Sequence, residues 1–194
     1  MKRLFFIVML LLAVGATTGF GQQQNEVSAK EQKKLDKRKD KALKNEKALK
    51  KYELYNKLVK DSTFVFMADN WTDERNTSVS IDPTINFLVV KKEKSFFQFG
   101  LDNMGPGFNG LGGASIDSRV VSYRYHKGKN SKKSSQLIMT VKSRYLQGTM
   151  TFVMTFFGES ATVDVTGANG RRISLQGALF PLEKVNLMGS GSEY

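Results

Sequence analysis

The sequence predicts an α+β chain that is mostly β: one N-terminal helix, then an antiparallel sheet of about eight strands arranged as a small barrel or a sandwich. Three observations carry this. Between residues 136 and 177 several strands follow one another with barely a turn residue to spare. No helical stretch separates the strands, as a βαβ unit would require. Residues 26–60 lack Gly and Pro and are dominated by Lys, Glu, Ala and Leu, a composition that favours helix.

The clearest strand is residues 149–157. Met150, Phe152, Met154 and Phe156 lie on one face, and Thr149, Thr151, Val153, Thr155 and Phe157 on the other. This alternation is the period-two signal of a strand with one buried face.

The start of the chain reads as an export signal. Met1-Lys2-Arg3 is cationic, residues 4–16 are almost unbroken apolar, and Gly19 and Gly21 flank Phe20. That order is the n-region, h-region and cleavage site of a secretory signal peptide spanning residues 1–21. The apolar run is shorter than the roughly 20 residues of a spanning helix, so the expected product is not transmembrane. No cysteine follows the run, which excludes a lipoprotein anchor, and the expected location is periplasmic or outer-envelope associated. Cleavage removes two basic residues and no acidic one, lowering the formal net charge from +12 to +10.

Residues 22–25 are a polar leader expected to be disordered, and residues 22–45 form a basic polar arm, helical or disordered. Residues 26–60 hold thirteen Lys/Arg against six Asp/Glu, whereas residues 61–194 hold fifteen against twelve. The basicity therefore belongs to one segment. Ala48, Tyr52, Tyr55 and Val59 share one helical face with Leu54 and Leu58 beside it, so the helix should dock near residues 46–60.

The single domain of residues 46–180 then reads as strands at 63–68, 86–91, 96–99, 119–125, 137–145, 149–157, 161–165 and 172–179, with a short one at 78–81. Residues 70–83 are a polar connection holding the sole tryptophan, Trp71. Residues 101–115 crowd glycines around Pro106, Phe108 and Leu111 and read as a loop or flap. Asn169-Gly170 predicts a two-residue hairpin with a type I′ turn. Residues 181–194 are an expected mobile tail.

Chemistry is sparse. His126 is the single histidine and cysteine is absent, so no zinc site can be assembled, Ser-His-Asp or Cys-His catalysis is removed unless His126 serves alone, and no cofactor is expected. Asp102, Asp117, Glu159 and Asp164 sit at turns or outward strand positions, with no spacing that singles out a hydrolytic pair. Residues 105–110 spell G-x-G-x-x-G, but more glycines and a strand follow where the dinucleotide fingerprint needs a helix. The loop offers Phe99, Asp102, Phe108 and Leu111 as candidate ligand contacts. Met139, Met150, Phe152, Met154 and Phe156 are candidate apolar lining should a barrel interior hold a ligand. Lys33, Lys34, Lys37, Arg38, Lys41 and Lys44 are candidate contacts to an anionic envelope surface. The arm lacks interleaved aromatics, so nucleic acid is not an expected partner.

The Phe64-Val65-Phe66 strand, the pair of strands from Phe87 to Gly100, the Gly-rich loop and the ending from Ala161 through Asn169-Gly170-Arg171-Arg172-Ile173-Ser174 to Gly177 resemble the bacterial domain of unknown function numbered 4251, over residues 63–179. The resemblance implies an exported bacterial protein and supplies no activity or site residue. The leading expectation is thus a non-enzymatic envelope binding or structural domain. The alternatives are a small carrier for an apolar ligand and an uncharacterised hydrolase-type enzyme.

Overall fold

In a computed structural model, the structure describes residues 18–72, 77–100, 113–130, 133–144 and 146–185. The chain divides into two units at the boundary between Lys47 and Ala48. Among the described residues one α-helix, α1, spans Thr18–Lys60, and the nine strands are β1 (Thr63–Thr72), β2 (Ser78–Ser80), β3 (Phe87–Lys91), β4 (Lys94–Phe99), β5 (Ala114–His126), β6 (Ser135–Ser143), β7 (Thr149–Phe157), β8 (Ser160–Thr166) and β9 (Arg172–Phe180). Residues 22–25, expected to be disordered, are helical: nothing in them breaks the propensity of the stretch that follows.

Every strand pairs antiparallel with its neighbour in the order β1-β3-β4-β5-β6-β7-β8-β9, and β9 pairs back to β1. The sheet is therefore a closed eight-stranded barrel rather than a sandwich, with β2 added alongside β1. At eight strands the interior is just wide enough for side chains to fill it. Phe64, Phe66, Leu88, Val90, Phe97, Leu137, Met139, Phe152, Met154, Phe156, Val163 and Leu175 pack into one buried cluster, which Tyr55 and Val59 of α1 join.

Two bulges set which side chains enter. In β1 the pairing to β9 passes from Ala68 to Asn70, skipping Asp69, so that Trp71 comes opposite the buried Leu175. In β5 it passes from Val120 to Ser122; Val121 is left exposed and Tyr123 and Tyr125 come opposite Met139 and Leu137. An extra residue on one strand reverses the alternation beyond it, and such bulges recur at barrel rims. The bulge also explains why Trp71, expected in a polar connection, is a strand residue: β1 runs on to Thr72 through the irregular Asp69.

Gly177 lies where β9 closes on β1. A Cβ there would fall 1.9 Å from the Met67 carbonyl oxygen, so only glycine lets the seam shut. The hairpin after β8 differs from the expected type I′ turn. Its loop is Ala168-Asn169-Gly170 within a Gly167 N–H to Arg171 carbonyl bond of 2.9 Å, and Gly170 alone takes a positive φ, of 78°. Asn169 uses its side chain instead, accepting from the Arg171 N–H at 3.1 Å.

β3 is buried on both faces. Leu88 and Val90 face the interior, whereas Phe87 and Val89 form an outer cluster with Val65 and Phe96. Met67, Leu182 and Val185 pack on this outer cluster, the last two from a segment that includes a short 3-10 turn, Leu182–Lys184. Residues 181–185, expected in a mobile tail, are thus docked, and they explain why β3 reads as a continuous apolar run rather than an alternating one. The remainder of that tail and residues 101–112 lie outside the described residues.

Candidate functional site

The antiparallel register gives the barrel two ends. One holds the start of β1, the β5–β6 and β7–β8 turns and the end of β9; the last turns of α1 cover it. Spacing of 3–4 residues along the helix places Tyr52, Tyr55, Asn56 and Val59 on its buried face. Their polar atoms are all engaged. The Tyr52 hydroxyl donates to the Gly128 carbonyl at 3.2 Å and the Tyr55 hydroxyl to the Glu159 carbonyl at 3.1 Å. Asn56 Oδ1 accepts from the Tyr125 hydroxyl and from Ser135 Oγ, the latter at 2.8 Å, while Asn56 Nδ2 donates to the Tyr52 carbonyl. Gly128 N–H donates to Ser135 Oγ at 3.0 Å, and the Tyr123 hydroxyl donates to the Val59 carbonyl, an acceptor that the end of a helix leaves free.

Burial pushes the Tyr123 hydroxyl up to about 12, and burial likewise raises Tyr55 and Tyr125. All three are neutral donors over the physiological range, which suits a structural clasp. The Glu159 carboxylate reaches Lys51 at 3.4 Å on the exposed rim, where such a pair contributes little.

The opposite end holds the last residues of β1 and β4, the first of β5, β7 and β9, and the β6–β7 turn. Here five elements each contribute one half-buried apolar side chain: Trp71 of β1, Phe99 of β4, Ile116 of β5, Leu146 of the β6–β7 turn and Ile173 of β9. Trp71 meets Phe99 edge-on at 6.0 Å, Phe99 stacks on Phe97 at 6.5 Å, and Phe97 meets Phe152 at 5.4 Å. A file of aromatic rings thus runs from the rim into the core. The Trp71 indole Nε1 is buried and has no hydrogen-bond partner among the described residues. A buried donor left without an acceptor costs about 1–3 kcal/mol, so this atom is a place where a partner would add stability.

The candidate residues read from the sequence separate cleanly. Phe99 lies at the rim. Asp102, Phe108 and Leu111 lie outside the described residues. Met139, Met150, Phe152, Met154 and Phe156 are each at most 6% exposed and pack in the core cluster, against other side chains of this chain. Lys33, Lys34, Lys37, Arg38, Lys41 and Lys44 are exposed on α1, as is every residue from 28 to 47. His126 is exposed at the end of β5, Asp117 is exposed, and Asp164 is held by Arg172 at 2.7 Å. Among the described residues no group of three His, Cys, Asp or Glu is placed to hold a metal ion.

Sequence reasoning missed Asn56, which looked like one more polar helix residue, and the rim set of Trp71, Ile116, Leu146 and Ile173. The one available signal was a lone tryptophan in polar surroundings.

In α1 the basic residues follow a pattern. Lys30, Lys34, Lys37, Lys41 and Lys44 recur at steps of four and three, so they fall on one side of the helix. Glu31, Asp36, Asp40 and Glu46 fall outside that stripe. A shallow groove of about 350 Å³ is lined by Asp61, Ser62, Lys92, Glu93, Val121 and Tyr123.

These features define a class: a small, closed antiparallel barrel capped at one end by a helix. The chain belongs to the family described as Domain of unknown function (DUF4251), whose sequence model matches residues 46–179. The match begins where α1 docks, seventeen residues before the span over which the sequence resembles the family, and it leaves out the basic stripe. The structure is similar to the crystal structure of a DUF4251 family protein from Bacteroides eggerthii DSM 20697, with a TM-score of 0.57 and 21% identity over 71% of this chain and 92% of that one. At that identity the likeness is one of fold. No curated protein matches the chain.

Proposed function

We propose that this protein is a non-enzymatic, exported barrel that α1 holds against an anionic lipid bilayer. The observation that carries the reading is the stripe of Lys30, Lys34, Lys37, Lys41 and Lys44 on a helix whose residues 28–47 are exposed all round. A planar anionic surface attracts charges that sit on one side of a rod, at about 1 kcal/mol per basic residue near the surface. Leu35 and Leu43 are exposed and lie away from the stripe, so the attraction is electrostatic rather than an insertion of an apolar face. Among the described residues no helix is long and apolar enough to cross a membrane. The cationic start, apolar run and small residues of positions 1–21 support export, with Gln22 as the first residue of the mature chain.

The test is co-sedimentation of the chain with vesicles of phosphatidylcholine containing phosphatidylglycerol. Binding should be strong at low salt, fall steeply as salt rises, and vanish when residues 22–45 are deleted or when Lys34, Lys37 and Lys41 become Glu together. Binding that survives the triple substitution would overturn the reading, as would equal binding to neutral vesicles. A preference for acidic polysaccharide over the vesicles would also reject the bilayer as the partner. Sequencing the N-terminus of the cell-fractionated protein checks export separately.

A further inference from the structure

We propose that the barrel end opposite the helix is a binding site for a small, mostly apolar molecule that carries one oxygen acceptor, and that the acceptor is received by the Trp71 indole N–H. The site is the ring of Trp71, Phe99, Ile116, Leu146 and Ile173, each half-buried and each from a different element. A closed barrel has no sheet edges to offer, so its two ends are where irregular backbone leaves room for a ligand. At the helix end that room is taken. At this end the apolar side chains stay partly open to solvent, and the edge-on pair of Trp71 and Phe99 offers a ligand aromatic surface backed by the buried rings of Phe97 and Phe152.

The indole N–H is what selects the ligand. Trp71 enters the barrel only because the bulge at Asp69 turns it there. Once inside, its Nε1 is shielded and makes no hydrogen bond to any described residue. Indole nitrogen donates and never accepts. A purely apolar ligand would leave the donor unanswered, and a ligand presenting only donors would oppose it. A hydroxyl or carbonyl oxygen at the leading end of an aliphatic body answers both the N–H and the apolar ring.

This separates the site from the interior lining expected of a carrier. Met139, Met150, Phe152, Met154 and Phe156 stay as core, and the ligand sits above them at the rim. The site is also independent of the basic helix, so a neutral probe tests it alone.

Trp71 is the chain's single tryptophan, so its indole N–H gives a single, assignable cross-peak in a 1H–15N correlation spectrum. Titrating 1-decanol into the 15N-labelled chain should move that peak downfield in a saturable way. Trp71→Phe, which keeps an aromatic ring and removes the donor, should bind 1-decanol about tenfold more weakly by calorimetry, the equivalent of one lost hydrogen bond. Phe99→Leu keeps Trp71 and should weaken binding several-fold, and it carries the test if Trp71→Phe does not fold. An indole peak that stays in place up to the solubility limit of the probe overturns the proposal. Equal affinity of Trp71→Phe and the parent chain overturns it too, because the alcohol would then be bound elsewhere. Loss of vesicle binding in the lysine variants leaves the indole shift untouched if both readings hold.

Discussion

The two ends of this barrel are built from opposite materials. At the helix end, Tyr52, Tyr55, Asn56, Tyr123, Tyr125 and Ser135 bring polar atoms inside, and each finds a partner. At the other end the half-buried rim residues Trp71, Phe99, Ile116, Leu146 and Ile173 are apolar but for one indole N–H, and that atom has no partner among the described residues. Buried polar networks specify a geometry when complete and cost stability when they are not. The first end therefore behaves as a clasp that fixes the helix, and the second as a surface still able to gain from a partner. The difference teaches that burial alone does not mark a site. Met139 and Met154 are more buried than Trp71, yet they have nothing left to bind with.

The comparison breaks most visibly through a large side chain at the clasp. Tyr55 is 2% exposed, meets Phe156 edge-on at 6.1 Å and lies among core residues, so Tyr55→Ala removes a ring from the packed interior as well as a hydrogen bond. We expect a loss of about 3–5 kcal/mol in urea unfolding. Phe99→Ala removes a ring of similar size at the half-open rim and should cost under about 2 kcal/mol. Equal costs would show that the two ends are closed to the same degree.

How much of this was legible in the sequence follows from the range of each interaction. Residues 149–157 emerge as a strand with the expected inner face because period-two alternation is a local property, and the buried face of α1 at Tyr52, Tyr55 and Val59 was visible for the same reason. The choice of barrel over sandwich was not visible, since it rests on β9 meeting β1 across more than a hundred residues of chain. The bulges at Asp69 and Val121 were hidden too: one extra residue in a strand leaves no compositional mark, yet it decides that Trp71, Tyr123 and Tyr125 face inward. The role of Asn56 depends on Tyr125 and Ser135, two partners that the helix cannot foretell. Gly177 stood within the family-like ending, but its reason, the approach of the Met67 carbonyl, needs the closed seam.

The clasp can also be sharpened by pH. The Tyr123 hydroxyl is pushed up from 10.0 to about 12 by burial, so the folded chain keeps a proton that the unfolded chain gives up near 10. Its contribution is intact below pH 10 and is lost as the pH rises toward 12. Tyr55 and Tyr125 are shifted the same way. Tyr123→Phe should lose about 1 kcal/mol at neutral pH, from the missing bond to the Val59 carbonyl, and should then show a shallower decline between pH 10 and 12. Parallel stability profiles for the two proteins would remove Tyr123 from the alkaline transition.

The smallest effect is expected at the rim, and it is the most telling. Trp71→Phe shrinks a half-buried ring, which costs about 1–2 kcal/mol of apolar contact. It also deletes a buried donor that has no acceptor among the described residues, a relief of about 1–3 kcal/mol. The two oppose each other, so the variant should unfold within about 1 kcal/mol of the parent chain in urea. Tyr55→Phe makes the mirror-image change at the clasp: it keeps the ring and breaks a satisfied bond to the Glu159 carbonyl, so nothing offsets its loss of about 1 kcal/mol. If Trp71→Phe instead costs 3 kcal/mol or more, its N–H is already answered in solution, and the rim is as complete as the clasp. A near-zero cost leaves a donor that contributes nothing to holding the barrel together, which is the condition of a group kept for a ligand.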